Sequence, residues 1–174
     1  GSLNANKVSF GKRALPMYDF NKAKVIVSIA DDFLQNGANG LNQEAGYTEN
    51  RNPDGAWMSK HYQFEANMSL TGSNADVRTV ATPTELNAVV ANLYVLVTGD
   101  TSVKAPELKG RLATRVQNVA DLLKQNKGES LVLAGSNDEN VQLLVNGINI
   151  ALSNIGTTKF PNLPFMAIIF LFNN

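Results

Sequence analysis

Lys24-Val-Ile-Val-Ser-Ile-Ala30 decides the fold. The run is continuously apolar and rich in β-branched residues, which fits a strand buried on both faces. Such a strand needs helices above and below it. Downstream, Asp31 to Gly55 is polar and crowded with Gly and Asn, which predicts a long loop of the functional or mobile kind. A brief helix is expected through Ala56-Trp-Met-Ser-Lys60, and a second strand at Tyr62-Gln-Phe-Glu-Ala66. Thr82, Pro83 and Glu85 then supply an N-cap, a proline at the first helical position and a capping-box glutamate. Leu86, Val89, Val90, Leu93 and Val97 follow at helical spacing until Gly99.

A second helix is expected from near Pro106, with Leu108, Leu112, Val116, Val119 and Leu123 on one face before Gly128. Ser130-Leu-Val-Leu-Ala134 is a third strand. Ser136 and Glu139 are spaced as another capping box, ahead of a helix with Val141, Leu144, Val145, Ile148 and Leu152 on one side. The apolar run Phe165 to Phe172 is a fourth strand, and a buried strand this near the last residue is expected of a fragment of a longer protein. Strands alternating with helices place residues 3–174 in one α/β domain: a three-layer, mostly parallel, Rossmann-like sheet with helices on both faces. Gly1-Ser2 looks like an expression scar.

Composition narrows the function. Net charge is zero and 17% of residues are charged, so no basic stripe exists to neutralise phosphates and nucleic acid is excluded as a partner. With no cysteine, disulfides, thiolate-held zinc and iron–sulfur clusters are excluded from this segment. Phe165 to Phe172 falls far short of the roughly 20 residues a membrane-spanning helix needs, so no direct membrane span is expected.

Ligands of parallel sheets sit at the carboxyl ends of strands, which directs attention to Asp31-Asp32, to Glu65 through Asp76 and to Gly135 through Asp138. Glu65 closes a strand where a carboxylate could take two ribose hydroxyls; it is equally a solvated strand-end acid. The Ser69 to Asp76 loop offers hydroxyls and backbone donors suited to phosphate or a purine edge, or else is a polar crossover in which Asp76 pairs with Arg78. Asp31 and Asp32 are neighbours on an extended chain, so their carboxylates point apart and a turn or helix-cap role is favoured. His61 has no second histidine or cysteine to share a metal, which favours a partly exposed structural role. Trp57, Tyr47 and Tyr62 are read as packing residues. Gly37, Gly40 and Gly46 do not have the spacing of a phosphate turn. With one histidine in the chain, no nucleophile–base pair can be assembled, so no catalytic residue is expected.

Three segments carry a family resemblance: Tyr18 to Leu34, Glu65 to Arg78, and Leu131 to Gly135 continuing through Asn146 to Gly156. In order and spacing the chain resembles the middle of the molybdopterin oxidoreductases related to dimethyl sulfoxide reductase, over about four-fifths of its length. Leu70-Thr-Gly-Ser-Asn-Ala-Asp-Val-Arg78 and Ala151-Leu-Ser-Asn-Ile-Gly156 look most like one branch, the large iron–sulfur subunit of alternative complex III. The resemblance implies a scaffold domain of a quinol-oxidising respiratory complex, with iron–sulfur clusters elsewhere in the parent chain. It also implies neighbouring subunits as partners and a peripheral location on the periplasmic side of the inner membrane. Any cofactor contact would fall to Glu65, Thr71, Ser73 and Asp76, as vestiges of a nucleotide site.

Two departures from the family pattern favour the branch without molybdenum or pterin. Where cofactor-binding members have a Gly-Xaa-Asn-Pro turn, this chain has Ala30-Asp31-Asp32-Phe33; where they have Pro-Gly-Thr-Asp, it has Thr82-Pro83-Thr84-Glu85. Each carboxylate near a diphosphate would cost on the order of 1 kcal/mol or more at an effective dielectric near 20. The chain is therefore expected to hold no cofactor itself. Its alternatives are the nucleotide-binding middle of an active molybdenum bis-pterin oxidoreductase, or a stand-alone nucleotide- or sugar-binding module.

Overall fold

The computed structural model describes residues 1–36 and 40–160, and the side chains of all of these but 40–43. The expected strand Phe165–Phe172 lies outside the described residues. Among the described residues, four parallel strands form the central sheet: β2 (Val25–Ile29), β3 (Lys60–Glu65), β4 (Val77–Val80) and β5 (Ser130–Ala134), in the order β4-β3-β2-β5. A two-stranded antiparallel pair, β1 (Met17–Tyr18) with β6 (Lys159–Phe160), stands beside it. The sheet is covered by helices on both faces, as the three-layer Rossmann-like expectation required.

Side-chain alternation along each strand sorts the core into two layers. Val25, Val27, Ile29, Tyr62, Phe64, Val132 and Ala134 meet α5 (Pro83–Thr98), α6 (Gly110–Gln125) and α7 (Glu139–Ala151) on one face. On the other, Ile26, Leu131 and Leu133 meet Phe20, Phe33 and Tyr47. Each of these large apolar side chains contributes about 1.5–3 kcal/mol by leaving water. The fully buried β2 explains why its sequence carries no polar alternation.

The local signals around α5 hold. Thr82 and Glu85 form a complete capping box, Pro83 opens the helix, and Gly99 ends it at φ 75°. Elsewhere tertiary structure altered the expectation. The stretch expected as a loop from Asp31 to Gly55 contains α2 (Phe33–Asn36) and α3 (Gly40–Glu49), held because Phe33 and Tyr47 bury their rings against Phe20. Ala56 to Ser59 is not helical, and Lys60 already belongs to β3. The helix expected near Pro106 begins at Gly110, while the Pro106 carbonyl is taken by Asn92 Nδ2 at 2.8 Å. Asp138, not Ser136, caps α7: its Oδ1 accepts from Asn140 N at 2.7 Å and Val141 N at 3.4 Å. Ser136 Oγ instead receives Asp138 N at 3.1 Å.

Several elements had no counterpart in the sequence reading, among them the short pair β1 and β6, strand β4 and helix α1 (Ser2–Phe10), where the Gly1 carbonyl accepts from Asn4 N and Ala5 N at 3.0 Å each. Helix α1 packs on α7 through Asn146, which donates to Asn6 Oδ1 at 3.0 Å and Ser9 Oγ at 3.2 Å.

Among the described residues, the outer edge of β5 is closed by side chains. Asn149 of α7 donates to Val132 O at 2.7 Å and accepts from Val132 N at 3.1 Å, as a paired strand would. Thr158 Oγ1 takes Ser130 O, and Gln142 Nε2 takes Ala134 O at 2.7 Å. These partners satisfy backbone groups that an open edge would offer to another chain.

Candidate functional site

The chain runs β2, β3, β4 to one side of the sheet and returns through α5 and α6 to lay β5 on the other side of β2. The order therefore reverses between β2 and β5, and the crevice beyond their carboxyl ends is where ligands of open parallel sheets bind. Gly135 makes the close approach there possible: a Cβ on it would overlap the Ala30 carbonyl. Ala30 itself sits at φ 52°, a left-handed conformation that costs an alanine about 1–2 kcal/mol and is relaxed in glycine.

Two cavities open at this end. One, of about 370 Å³, lies between the ends of β2 and β3 and the start of α5, lined by Ala30, Asp32, Glu65, Ser69, Pro83 and Leu86 among others. The second, of about 420 Å³, lies at the reversal point itself, with Tyr18, Asp31, Phe33, Asn36, Gly135 and Ser136 in its wall.

Glu65 lines the first cavity, Thr71 is joined to it only through Asp32, and both are spoken for. Glu65 is a buried residue, 3% exposed, and not the solvated acid that one reading of the sequence allowed. Its carboxylate accepts from Ser69 Oγ at 2.6 Å, Gln63 Nε2 at 3.1 Å and Arg78 Nε at 2.5 Å. Burial pushes its pKa up, but the bonds from Ser69, Arg78 and Gln63 outweigh that and hold it below the usual 4.5. Gly72 is required beside it, because any Cβ would overlap the Glu65 carboxylate. Thr71, fully buried, donates from Oγ1 to Asp32 Oδ1 at 2.7 Å and from its N–H to the same oxygen at 3.0 Å. Asp32 thus ties the β2–α2 loop to α4 (Leu70–Ser73).

Ser73 is exposed and bonds only within its own turn, to Leu70 O at 2.7 Å. Asp76 lies elsewhere. The β3–β4 register sets it beside His61 at the amino end of the sheet, about 13 Å of strand away from Glu65. The expected Asp76–Arg78 pair does not form. Asp76 is held in a fork by Arg51, at 2.8 and 3.1 Å, and accepts from His61 N at 2.7 Å. Arg78 stands opposite Gln63 in the β3–β4 register, on the face of β3 that carries Glu65, and so reaches Glu65 instead.

The group the sequence reading missed is the polar face of β3. His61, Gln63 and Glu65 point to the same side and all are buried. His61 is fully buried, correcting the expectation of a partly exposed residue. Its Nε2 lies 3.2 Å from Gln63 Oε1, and its Nδ1 lies 3.0 Å from the Tyr47 hydroxyl. Gln63 spends its amide protons on Glu65 and the Asp31 carbonyl, so Oε1 must accept from His61 Nε2–H. The Tyr47 hydroxyl donates to the Asn74 carbonyl at 3.0 Å, which also receives Arg51 Nη2 at 3.1 Å. Burial drives the His61 pKa down to about 4, against the Gln63 bond that raises it. The polar alternation Lys60-His-Tyr-Gln-Phe-Glu65 was the visible signal, but alternation alone predicts a wet face.

The arrangement does not fit a pterin nucleotide's diphosphate. Helix starts at this end would offer N–H donors to phosphate, yet side chains of the chain itself take them: Ser69 at α4, Glu85 and Thr82 at α5, Asp138 at α7. Asp31 and Asp32 add negative charge at the β2 end. Among the described residues no three His, Cys, Asp or Glu side chains group closely enough to hold a metal ion. No model of a known protein family matches the sequence, and no curated protein does.

Proposed function

We propose that this chain is a non-catalytic scaffold: a molybdopterin-oxidoreductase-like domain that holds no cofactor and braces a respiratory iron–sulfur electron-transfer subunit. The observation that carries the reading is the internal closure of the strand ends. Glu65, Thr71, Asp32, Glu85 and Asp138, the groups a nucleotide would need or displace, are each bonded to other parts of the chain. The family resemblance stated above supplies the rest: clusters elsewhere in the parent chain, neighbouring subunits as partners, and a peripheral place on the periplasmic side. Among the described residues no helix is long and apolar enough to cross a membrane.

Calorimetric titration of guanosine diphosphate into this chain tests the closed site, and metal analysis with cofactor extraction on the intact native subunit tests its wider setting. The expected result is no nucleotide binding and no stoichiometric molybdenum. Micromolar nucleotide affinity or stoichiometric molybdenum would overturn the scaffold and make the domain the nucleotide-binding middle of an active molybdenum bis-pterin oxidoreductase.

A further inference from the structure

We propose that the cavity at the reversal point is a binding site for a small organic cation, an amidinium, guanidinium or alkylammonium group held by the Asp31 carboxylate and the Tyr18 phenol oxygen. This goes beyond the scaffold reading and does not depend on it. The cavity, about 420 Å³, lies between the carboxyl ends of β2 and β5 and has the size of small-molecule sites. Gly135 lines it, and the missing side chain lets the Ala30 and Asp31 backbone pack directly against it.

Asp31 is the exception among the acids at this end of the sheet. Asp32, Glu65, Glu85 and Asp138 all have donors from within the chain. Among the described residues the Asp31 carboxylate has no hydrogen bond or ion pair; only its carbonyl is used, by Ser28 and Gln63. Tyr18, in the same wall, likewise makes no hydrogen bond through its hydroxyl among the described residues. A partly buried carboxylate without donors is costly, and two such acceptors converging on one cavity are accounted for by a ligand that brings the donors.

The sign of the charge selects the class. Burial, and then Asp32, push Asp31 up to about 6, so it is ionised at neutral pH and repels anions while attracting a cation. Burial and then Asp31 hold the Tyr18 phenol well above its ordinary value, so it stays neutral and can accept a donor. The other titratable groups around the cavity are Asp32, tied to Thr71; the Lys159 amine, which burial lowers to about 7, 5.8 Å from the Tyr18 ring centre and bonded to Asn146; and the Gly1 amino terminus next to Ser2. The rim amides Asn36 and Asn137 and the Ser136 hydroxyl offer further polar contacts.

Benzamidine titrated into the full 174-residue chain at pH 8, followed by amide NMR, is expected to shift residues 31–36 and 134–137 saturably. Neutral benzamide, of the same shape, should bind about tenfold or more weakly, because it cannot form the charge-assisted pair. Asp31→Asn should weaken benzamidine by a similar factor and remove the step near pH 6 from the loss of binding that the parent chain shows between pH 8 and pH 5, leaving only the step near pH 7 at which Lys159 gains its charge. Tyr18→Phe should weaken it less. Should Asp31→Asn not fold, the benzamidine–benzamide comparison on the parent chain decides alone. A blocked Gly-Arg-Gly peptide separates the sources: binding tighter than benzamidine assigns the site to a protein's basic side chain, weaker binding to a free cation. No saturable shift at these amides, equal affinity for benzamide, or undiminished affinity in Asp31→Asn would overturn the proposal.

Discussion

Arg78→Met will show how far the Glu65 carboxylate depends on its one cation. Glu65 is 3% exposed, and the Arg78 side chain 21% exposed, so the pair sits at the edge of the interior rather than in it. Removing one partner of a fully buried pair costs about 3–5 kcal/mol. Here Ser69 and Gln63 still donate to the abandoned carboxylate, and part of the Arg78 site is wet, which lowers the expected cost to about 2–3 kcal/mol. In a Glu65→Gln background the same change should cost under about 1 kcal/mol, because no buried charge is left behind. The assay is urea unfolding of the four chains, with stability taken from linear extrapolation. The coupling also has a pH signature. Because the folded Glu65 pKa lies below 4.5, its contribution is complete above that value and is lost as pH falls through the folded pKa. Additive single changes, agreeing within about 0.5 kcal/mol, would refute the claim that Arg78 compensates a buried charge.

Asp31 and His61 should oppose each other in acid. His61 falls from 6.5 to about 4 on folding, so its contribution is present above pH 6.5 and lost down to pH 4; Asp31 rises from 3.8 to about 6, so its contribution is present below pH 3.8 and lost up to pH 6. Parent stability should be nearly flat between pH 4 and 6, while Asp31→Asn unmasks a rise with pH of up to about 3 kcal/mol, read by urea unfolding; a flat variant would sink the assignment. Asn149→Ala removes both partners of Val132 and should cost about 2–4 kcal/mol, with faster amide exchange at Val132; unchanged exchange would show that the β5 edge does not need this side chain. Ala30→Gly relieves the left-handed strand end at φ 52° and should raise the unfolding midpoint, by about 1 kcal/mol in stability after the entropy of the added glycine; a fall would show that the Ala30 methyl packs usefully.

The elements legible in the sequence are those whose signals are local. Strand β2 announces itself by an apolar run, and α5 by a cap, a proline and a glutamate within four positions, because those residues act on one another wherever the segment lies. Helix α3 was missed because its residues are mostly polar, and strand β4 because it is only four residues long; both gain order from what covers them, Tyr47 from Phe20 and Phe33, and β4 from its pairing with β3. The cap of α7 moved from Ser136 to Asp138 because two eligible acceptors compete, and only backbone geometry chooses between them.

The candidate site divides along the same line. Chain order and the rule for parallel sheets were enough to bring Asp31-Asp32, Glu65 and Gly135 to one end of the molecule. Three-dimensional packing decided the rest: Asp76 left for the far end to meet Arg51, 25 residues away in sequence, and Arg78 turned to Glu65. The alternation of β3 fixed which side His61, Gln63 and Glu65 would face, since successive side chains must point to opposite faces of a sheet. Whether that face met water or the interior was set by α2, α3 and α4 arriving over it, and those contacts depend on long-range closure that no spacing within the strand encodes.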